Sequence, residues 1–402
     1  LAQTRARTVR GIMAPDRKQA SLLPVGGATM VQLVKGNLFD SQAQTLVNTV
    51  NCVGVMGKGI ALEFKKRFPE MYDDYARRCA AGEVHLGEPY LFRRPVLPWI
   101  LNFPTKGHWR SVARLSDIVR GLEYLTRHYK EWGITSLAVP PLGCGHGQLD
   151  WTVVGPTLQR YLNLLDIPVE LYVPQSTGQD MCDTECTGDT HSHQRKLVDK
   201  GGLPPRIEPG HVALVEILAR IESEPYHWPV GRTMFQKIAY FATMSGLPTG
   251  LEYEPGSYGP FTPALKRLMT SLVNNGLIEE REVGRMFKIT VGPGYASARQ
   301  AHAAELSRWQ SVIDKVADLF LRMNTRQAEI AASVHYAARA LTNGSEHKPS
   351  ESQVLAMVTK WKQRRYPPLD RQAIADSIRN LAALGWLEVA PSPDLPLEEP
   401  PE

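Results

Sequence analysis

Short apolar runs alternate with helix-length stretches of mixed polarity over the first 174 residues. Residues 31–35 and 45–50 are β-rich and apolar, which predicts two strands. Residues 57–68 follow with helical spacing and close at Pro69, and 70–81 read as a second helix. Strands are predicted at 89–93 and 99–103. Val119, Leu122, Leu125 and Tyr129 mark the apolar face of a long helix over 112–131. Residues 134–139 read as a buried strand, 151–165 as a helix and 168–173 as a last strand. Strands alternating with helices predict an α/β domain, residues 30–176, whose central sheet is covered on both faces.

Periodicity fades over 177–207, where Gly, Thr, Asp, Ser, Gln and Pro dominate, and a flexible linker is expected. From 208 the spacing turns helical, with helices at 211–221, 232–245 and 262–275, the last stopped by Asn275-Gly276. Two short β-rich segments then flank Val283-Gly284-Arg285, so a helix followed by a hairpin is predicted. Further helices fill 297–341. A helix over 371–384 followed by Gly385-Trp386-Leu387-Glu388-Val389 repeats the idea. The second domain, 208–392, is therefore expected to be mainly α with winged-helix-like units. A proline- and acid-rich tail, 393–402, is expected to fray.

Composition narrows this picture. The formal net charge of +5 permits an anionic ligand without demanding one. Much of the excess sits in residues 1–29, where Arg5, Arg7, Arg10, Arg17 and Lys18 face only Asp16. That segment reads as a disordered leader, or as a start placed upstream of Met30. Its Arg-rich, acid-poor composition only faintly suggests a transit peptide. No apolar run approaches the roughly 20 residues that span a bilayer, so no membrane role is expected. Five cysteines in 402 residues make no disulfide framework, which points to a reducing cytoplasm. Cys182, Cys186, His191 and His193 cluster in the linker at a spacing that matches no established zinc motif, and no metal or cofactor is expected.

The chemistry concentrates in three stretches. Val55-Met56-Gly57-Lys58-Gly59-Ile60 follows one strand and opens a helix. Pro141-Leu142-Gly143-Cys144-Gly145-His146-Gly147 does so on another. Glycines let main-chain amides approach phosphate, and a helix dipole adds to the attraction. Two such loops at strand ends predict a cleft for a diphosphate. Neither is a Walker A motif, which argues against ATP hydrolysis, and neither has dinucleotide-fold spacing. Between them, Pro104-Thr105-Lys106 ends a strand on an amine. Lys58 either contacts phosphate or is solvated. Asp150 reads as a helix N-cap.

On these motifs residues 31–174 resemble a macrodomain, the ADP-ribose-binding fold, here a three-layer α/β/α domain with a mixed central sheet. Gly36-Asn37-Leu38 and Asn48-Thr49-Val50-Asn51 match the family's signatures, as do the two glycine loops. The resemblance implies substrate contact by Gly36, Asn37, Leu38, Asn48, Thr49, Asn51, Pro104, Thr105 and both loops, with Asn37 accepting from the adenine amino group. Within the family the DarG type is most similar, through Val-Asn-Thr-Val-Asn, Val-Met-Gly-Lys-Gly-Ile-Ala, Asn-Phe-Pro-Thr-Lys and Pro-Pro-Leu-Gly-Cys-Gly. That resemblance implies an antitoxin that hydrolyses the N-glycosidic link of ADP-ribose on thymidine in single-stranded DNA. It also implies a DarT-type ADP-ribosyltransferase toxin as partner, bound through the C-terminal domain. The looser motifs at 235–241 and 258–261 look like those of antitoxin-associated domains.

The same resemblance assigns the chemistry to Lys106, as a nucleophile on the distal ribose or as an electrostatic partner of the departing base. A neutral amine requires burial or a nearby cation, for which Lys58, His108 and Arg110 are at hand. The animal terminal ADP-ribose glycohydrolase places an Asp where Gly147 stands; no acid is present here, and His146 is left as a candidate for leaving-group assistance. Lys65, Lys66, Arg67, Arg93, Arg94, Arg110 and Arg114 are available to DNA, and Trp109 either stacks on a base or joins the core. The helix at 262–275 offers only Lys266 and Arg267, which favours a protein-binding role for the second domain. Two alternatives stay open: a reader of ADP-ribose without catalysis, and a hydrolase of ADP-ribosylated protein carboxylates.

Overall fold

The computed structural model describes residues 31–174, 207–284, 286–342, 347–393 and 395. The expected leader, nearly all of the linker with its Cys/His group, and most of the tail lie outside the described residues.

One six-stranded sheet organises the first domain, in the order β1-β6-β5-β2-β4-β3. Its strands are β1 (Val31–Val34), β2 (Thr45–Asn51), β3 (Tyr90–Phe92), β4 (Trp99–Lys106), β5 (Leu137–Val139) and β6 (Val169–Tyr172). All neighbours run parallel except β3, which pairs antiparallel with β4 at the edge. Side chains two apart share a face, so adjacent apolar residues serve different cores. Leu46, Val50 and Ile100 pack under α1 (Gly59–Arg67) and α2 (Pro69–Ala80) through Phe64, Met71 and Tyr75. Val47, Leu101 and Phe103 pack under α3 (Leu115–His128) and α4 (Trp151–Leu162). Each side chain buried this fully, such as Phe64 or Leu101, contributes roughly 1.5–3 kcal/mol. The result is the expected three-layer α/β/α arrangement with a mixed sheet.

Strand β4 runs three residues past its predicted end, so Lys106 is its last residue and not part of a turn. Pro104 lies beyond the last β3 pair, Tyr90 with Asn102, and beside a register shift between Val50 and Asn51. A missing N–H disturbs the ladder least there. Helix α3 begins later than predicted, because residues 107–114 form a loop captured by the second domain.

The second domain is mainly helical around one apolar core. It comprises α5 (Pro209–Ser223), α6 (Arg232–Met244), α7 (Ala264–Asn274), α8 (Tyr295–Ala301), α9 (Ala303–Arg308), α10 (Gln310–Leu321), α11 (Thr325–Thr342), α12 (Glu351–Trp361) and α13 (Arg371–Ala383). Helix α7 stops where Gly276 takes φ +70°, and the hairpin β9 (Ile278–Val283) with β10 (Met286–Val291) follows as predicted. The predicted repeat after α13 has no hairpin: Ala390 makes only an isolated bridge with Ser350. The Trp386 N–H donates to Leu381, 2.8 Å away, and its ring packs edge-on against Phe241, so that segment is committed to helix packing. Sequence reading also missed α12, whose Ser350–Gln353 capping box starts it, and the small hairpin β7 (Glu254–Gly256) with β8 (Gly259–Phe261). Buried Lys237 on α6 donates to the Pro260 carbonyl at 2.9 Å, joining the two motifs singled out in this domain.

The two domains meet at the loop after β4. Asn274, at the end of α7, accepts from the Leu115 N–H at 2.7 Å and donates to the Ala113 carbonyl at 3.2 Å. The Arg232 guanidinium donates to the Arg110 carbonyl at 2.9 Å, and the His108 ring packs against Phe287.

Candidate functional site

Parallel strands bring their carboxyl ends to one edge of the sheet, and ligand clefts of open α/β sheets form there. The ends of β1, β6, β5, β2 and β4 open here on a cleft of about 1030 Å³. Gly36, Asn37 and Leu38 border it after β1, Val173 and Pro174 after β6, and Pro141, Gly143, Gly145, His146 and Gly147 after β5. Thr49, Asn51, Val55, Gly57, Lys58, Gly59 and Ile60 border it from β2 and its loop, and Thr105 and Lys106 from β4.

Five residues named from the sequence have other surroundings. Asn48 is buried and donates to the Asn102 side chain at 2.9 Å. Met56 and Leu142 point into the cores, and Pro104 is buried in β4. Cys144 borders a separate groove between the domains, together with Asp150, Trp151 and Asn274. Asp150 caps α4 by accepting from the Thr152 N–H at 2.9 Å. Conversely, Phe39, Glu63, Tyr172, Val173 and Pro174 border the cleft without having been named. Their position at strand ends was the available signal for the last three.

The loops are shaped for main-chain contact. Asn51 organises the first: its amide donates to the Val55 carbonyl at 2.6 Å, while its oxygen accepts from the Val53 N–H and the Tyr75 hydroxyl at 3.0 Å. The second loop closes on itself through Leu149 N–H to Gly143 and Gln148 N–H to Gly145. The amides of Gly145, His146 and Gly147 have no hydrogen-bond partner among the described residues. Gly59 takes φ +58°, and a β-carbon there would lie 3.4 Å from the His146 ring, so the loops meet across the cleft. At Gly147 a β-carbon would lie 2.2 Å from the Gly143 oxygen, so no side chain fits without moving the loop. Asn37 uses its side-chain oxygen to cap the turn at Leu38–Asp40, accepting from Phe39 at 3.2 Å.

Lys106 is half-buried at one end of this cleft, and its amine donates to the His146 carbonyl. Burial, with the positive charges of Lys266 and Arg232 adding to it, lowers its pKa to about 8. The sequence pointed to Lys58, His108 or Arg110 for that role; the cations that act come from the other domain. His146 is exposed on the cleft, and burial with Lys106, Lys58 and Lys266 holds it below the usual imidazole range. An imidazole kept neutral in this way is a poor proton donor. Trp109 is 47% exposed, stacks on Arg110 with the guanidinium 4.5 Å from the ring, and borders the cleft rather than the core. Among the seven basic residues offered to DNA, Arg110 alone borders it. Lys66 pairs with Glu63, Arg94 with Glu70, and Lys65 and Arg67 cover the rings of Tyr72 and Phe39.

Comparison with known proteins bears on about three quarters of the chain. The family profile described as Macro domain matches residues 47–158. A Thermus aquaticus protein named DNA ADP-ribosyl glycohydrolase is 31% identical over 315 residues, 77% of this chain and 83% of that protein. A Mycobacterium tuberculosis protein of the same name is 33% identical over 323 residues, 78% of this chain and 83% of that protein. A Thermosipho africanus DNA ADP-ribosyl transferase-DNA ADP-ribosyl glycohydrolase fusion protein is 42% identical over 162 residues, 36% of this chain and 42% of its own.

Proposed function

The chain belongs to the DNA ADP-ribosyl glycohydrolase family, and we propose that it releases ADP-ribose from thymidine in single-stranded DNA through Lys106. The observation that carries this reading is the half-buried amine of Lys106, its pKa lowered to about 8, at one end of a cleft bordered by a glycine loop with amides unpartnered among the described residues.

The two loops hold the diphosphate through main-chain N–H groups and the start of α1. That places the distal ribose at the Lys106 end. With a pKa of about 8, roughly a tenth of the amine is neutral at pH 7. The neutral amine attacks the anomeric carbon: the Nζ–C bond forms, and the bond to the base nitrogen breaks with its electron pair leaving on the base. Water then replaces the lysine on that carbon and restores the amine. His146, exposed and neutral, is suited to accept a proton from this water.

The fusion of a transferase with a glycohydrolase in the Thermosipho africanus relative supports a DarT-type toxin as partner for this chain. Its neutralisation by direct binding is assigned to residues 208–392, and a pull-down of the cognate transferase with this segment should succeed. Capture only by residues 30–176 would reverse that assignment.

The test of the reaction is Lys106→Ala. The variant should bind ADP-ribose within about threefold of the native chain and lose at least about 100-fold in release from an ADP-ribosylated oligonucleotide. Full turnover would remove Lys106 from the chemistry. Comparing an ADP-ribosylated protein carboxylate with the oligonucleotide decides between substrate classes.

A further inference from the structure

The cleft is not built by the first domain alone. Arg232, opening α6, and Lys266, in the first turn of α7, stand on its border together with Lys106 and Arg110. Arg232 is fixed there: it grips Glu280 through two nitrogens at 2.7 Å and donates to the Arg110 carbonyl at 2.9 Å. Lys266 is different. Its side chain is exposed, and its amine has no hydrogen-bond or ion-pair partner among the described residues.

Charge accounting says what is missing. Lys58, Lys106, Arg110, Arg232 and Lys266 border the cleft, against Glu63 as the sole bordering carboxylate among the described residues. Glu63 already pairs with Lys66 at 3.0 Å, and the charge of Arg232 is met by Glu280. A diphosphate brings about two negative charges, and the loop amides already provide for it. Positive charge remains at the Lys106 end, beside an exposed Trp109. An extended anion with stackable rings fits such a surface, as single-stranded nucleic acid does.

We propose that Lys266 of the second domain binds a backbone phosphate of the DNA next to the modified nucleotide, so that the substrate strand is held between the two domains. Arg232 is the positioning residue, which fixes the Arg110 loop and turns that wall towards the strand. The helix α7 looked too poor in cations to bind DNA because the remaining cations belong to the first domain. The proposal rests on the hydrolase reading above and adds where the strand runs.

The experiment is equilibrium binding of an ADP-ribosylated thymidine oligonucleotide and of free ADP-ribose to the full chain in a Lys106→Ala background, with and without Lys266→Ala. Loss of Lys266 should weaken the oligonucleotide roughly five- to tenfold at low salt and reduce the slope of log affinity against log salt by about 1. Free ADP-ribose should bind within twofold, and Lys266→Arg should restore most of the oligonucleotide affinity. Unchanged oligonucleotide binding would overturn the proposal. So would an equal loss for free ADP-ribose, which would make Lys266 a diphosphate contact. Turnover by the native chain is a separate control: its absence sinks the hydrolase reading, while the two affinities still decide on Lys266.

Discussion

The Lys106 amine donates to the main-chain carbonyl of His146, so the end of β4 is tied to the glycine loop after β5. The partner is a neutral dipole and not a carboxylate. It orients the amine without the charge that would hold a proton on it. Burial and the cations Lys266 and Arg232 then lower its pKa. One contact thus positions the proposed reacting group and joins it to the glycine loop proposed to hold the diphosphate.

A pH profile follows from that depressed pKa. With the neutral amine as nucleophile, as proposed, kcat/KM should rise about tenfold per pH unit below pH 8 and level off above it. If a charged Lys106 instead stabilised the departing base, the profile would be flat and then fall above pH 8. Lys266→Ala removes a like charge and should move the rising limb to higher pH. Rates of single-turnover release between pH 6 and 10 separate these outcomes.

Gly147 offers a test of loop shape. A β-carbon there would lie 2.2 Å from the Gly143 oxygen and 2.9 Å from the Ala113 side chain. Gly147→Asp would install an acid on the loop, yet it should displace the loop at a cost of about 1–3 kcal/mol. ADP-ribose affinity measured by calorimetry should fall roughly tenfold, with no gain in turnover. A variant that binds normally and turns over faster would mean the loop yields more readily than its packing implies.

Asn274 is the latch between the domains. Its side chain both accepts from Leu115 and donates to Ala113. Asn274→Ala leaves those main-chain groups unpaired, at a cost of about 1–3 kcal/mol. Amide exchange over residues 107–115 should speed up, and release from the oligonucleotide should slow because Arg110 and Lys106 lose their fixed surroundings. Exchange rates equal to those of the native chain would show that the domains hold this loop by other means.

Much of this protein was legible locally. The alternation of strands and helices determined the layered α/β domain, because the period of apolar positions fixes each element and which face it buries. The two glycine loops and Pro104-Thr105-Lys106 were readable because their chemistry lies in contiguous residues. The stop at Asn275-Gly276 and the cap at Asp150 were readable for the same reason. The hairpin expected after α13 was not formed, since whether an apolar segment pairs or packs depends on what it meets, here Phe241 against Trp386.

Tertiary structure alone decided the rest. Inside the matched motifs, strand pleating and loop curvature turned Asn48, Met56, Pro104 and Leu142 inward, while Thr49 and Val55 border the cleft. Docking of the second domain brought Arg232 and Lys266 to Lys106, and no spacing along the chain announces that meeting. The sequence therefore determined which groups are candidates for the chemistry. Packing between two separately patterned domains decided the field in which Lys106 titrates, because electrostatic influence depends on distance in space and on burial, and neither is written locally.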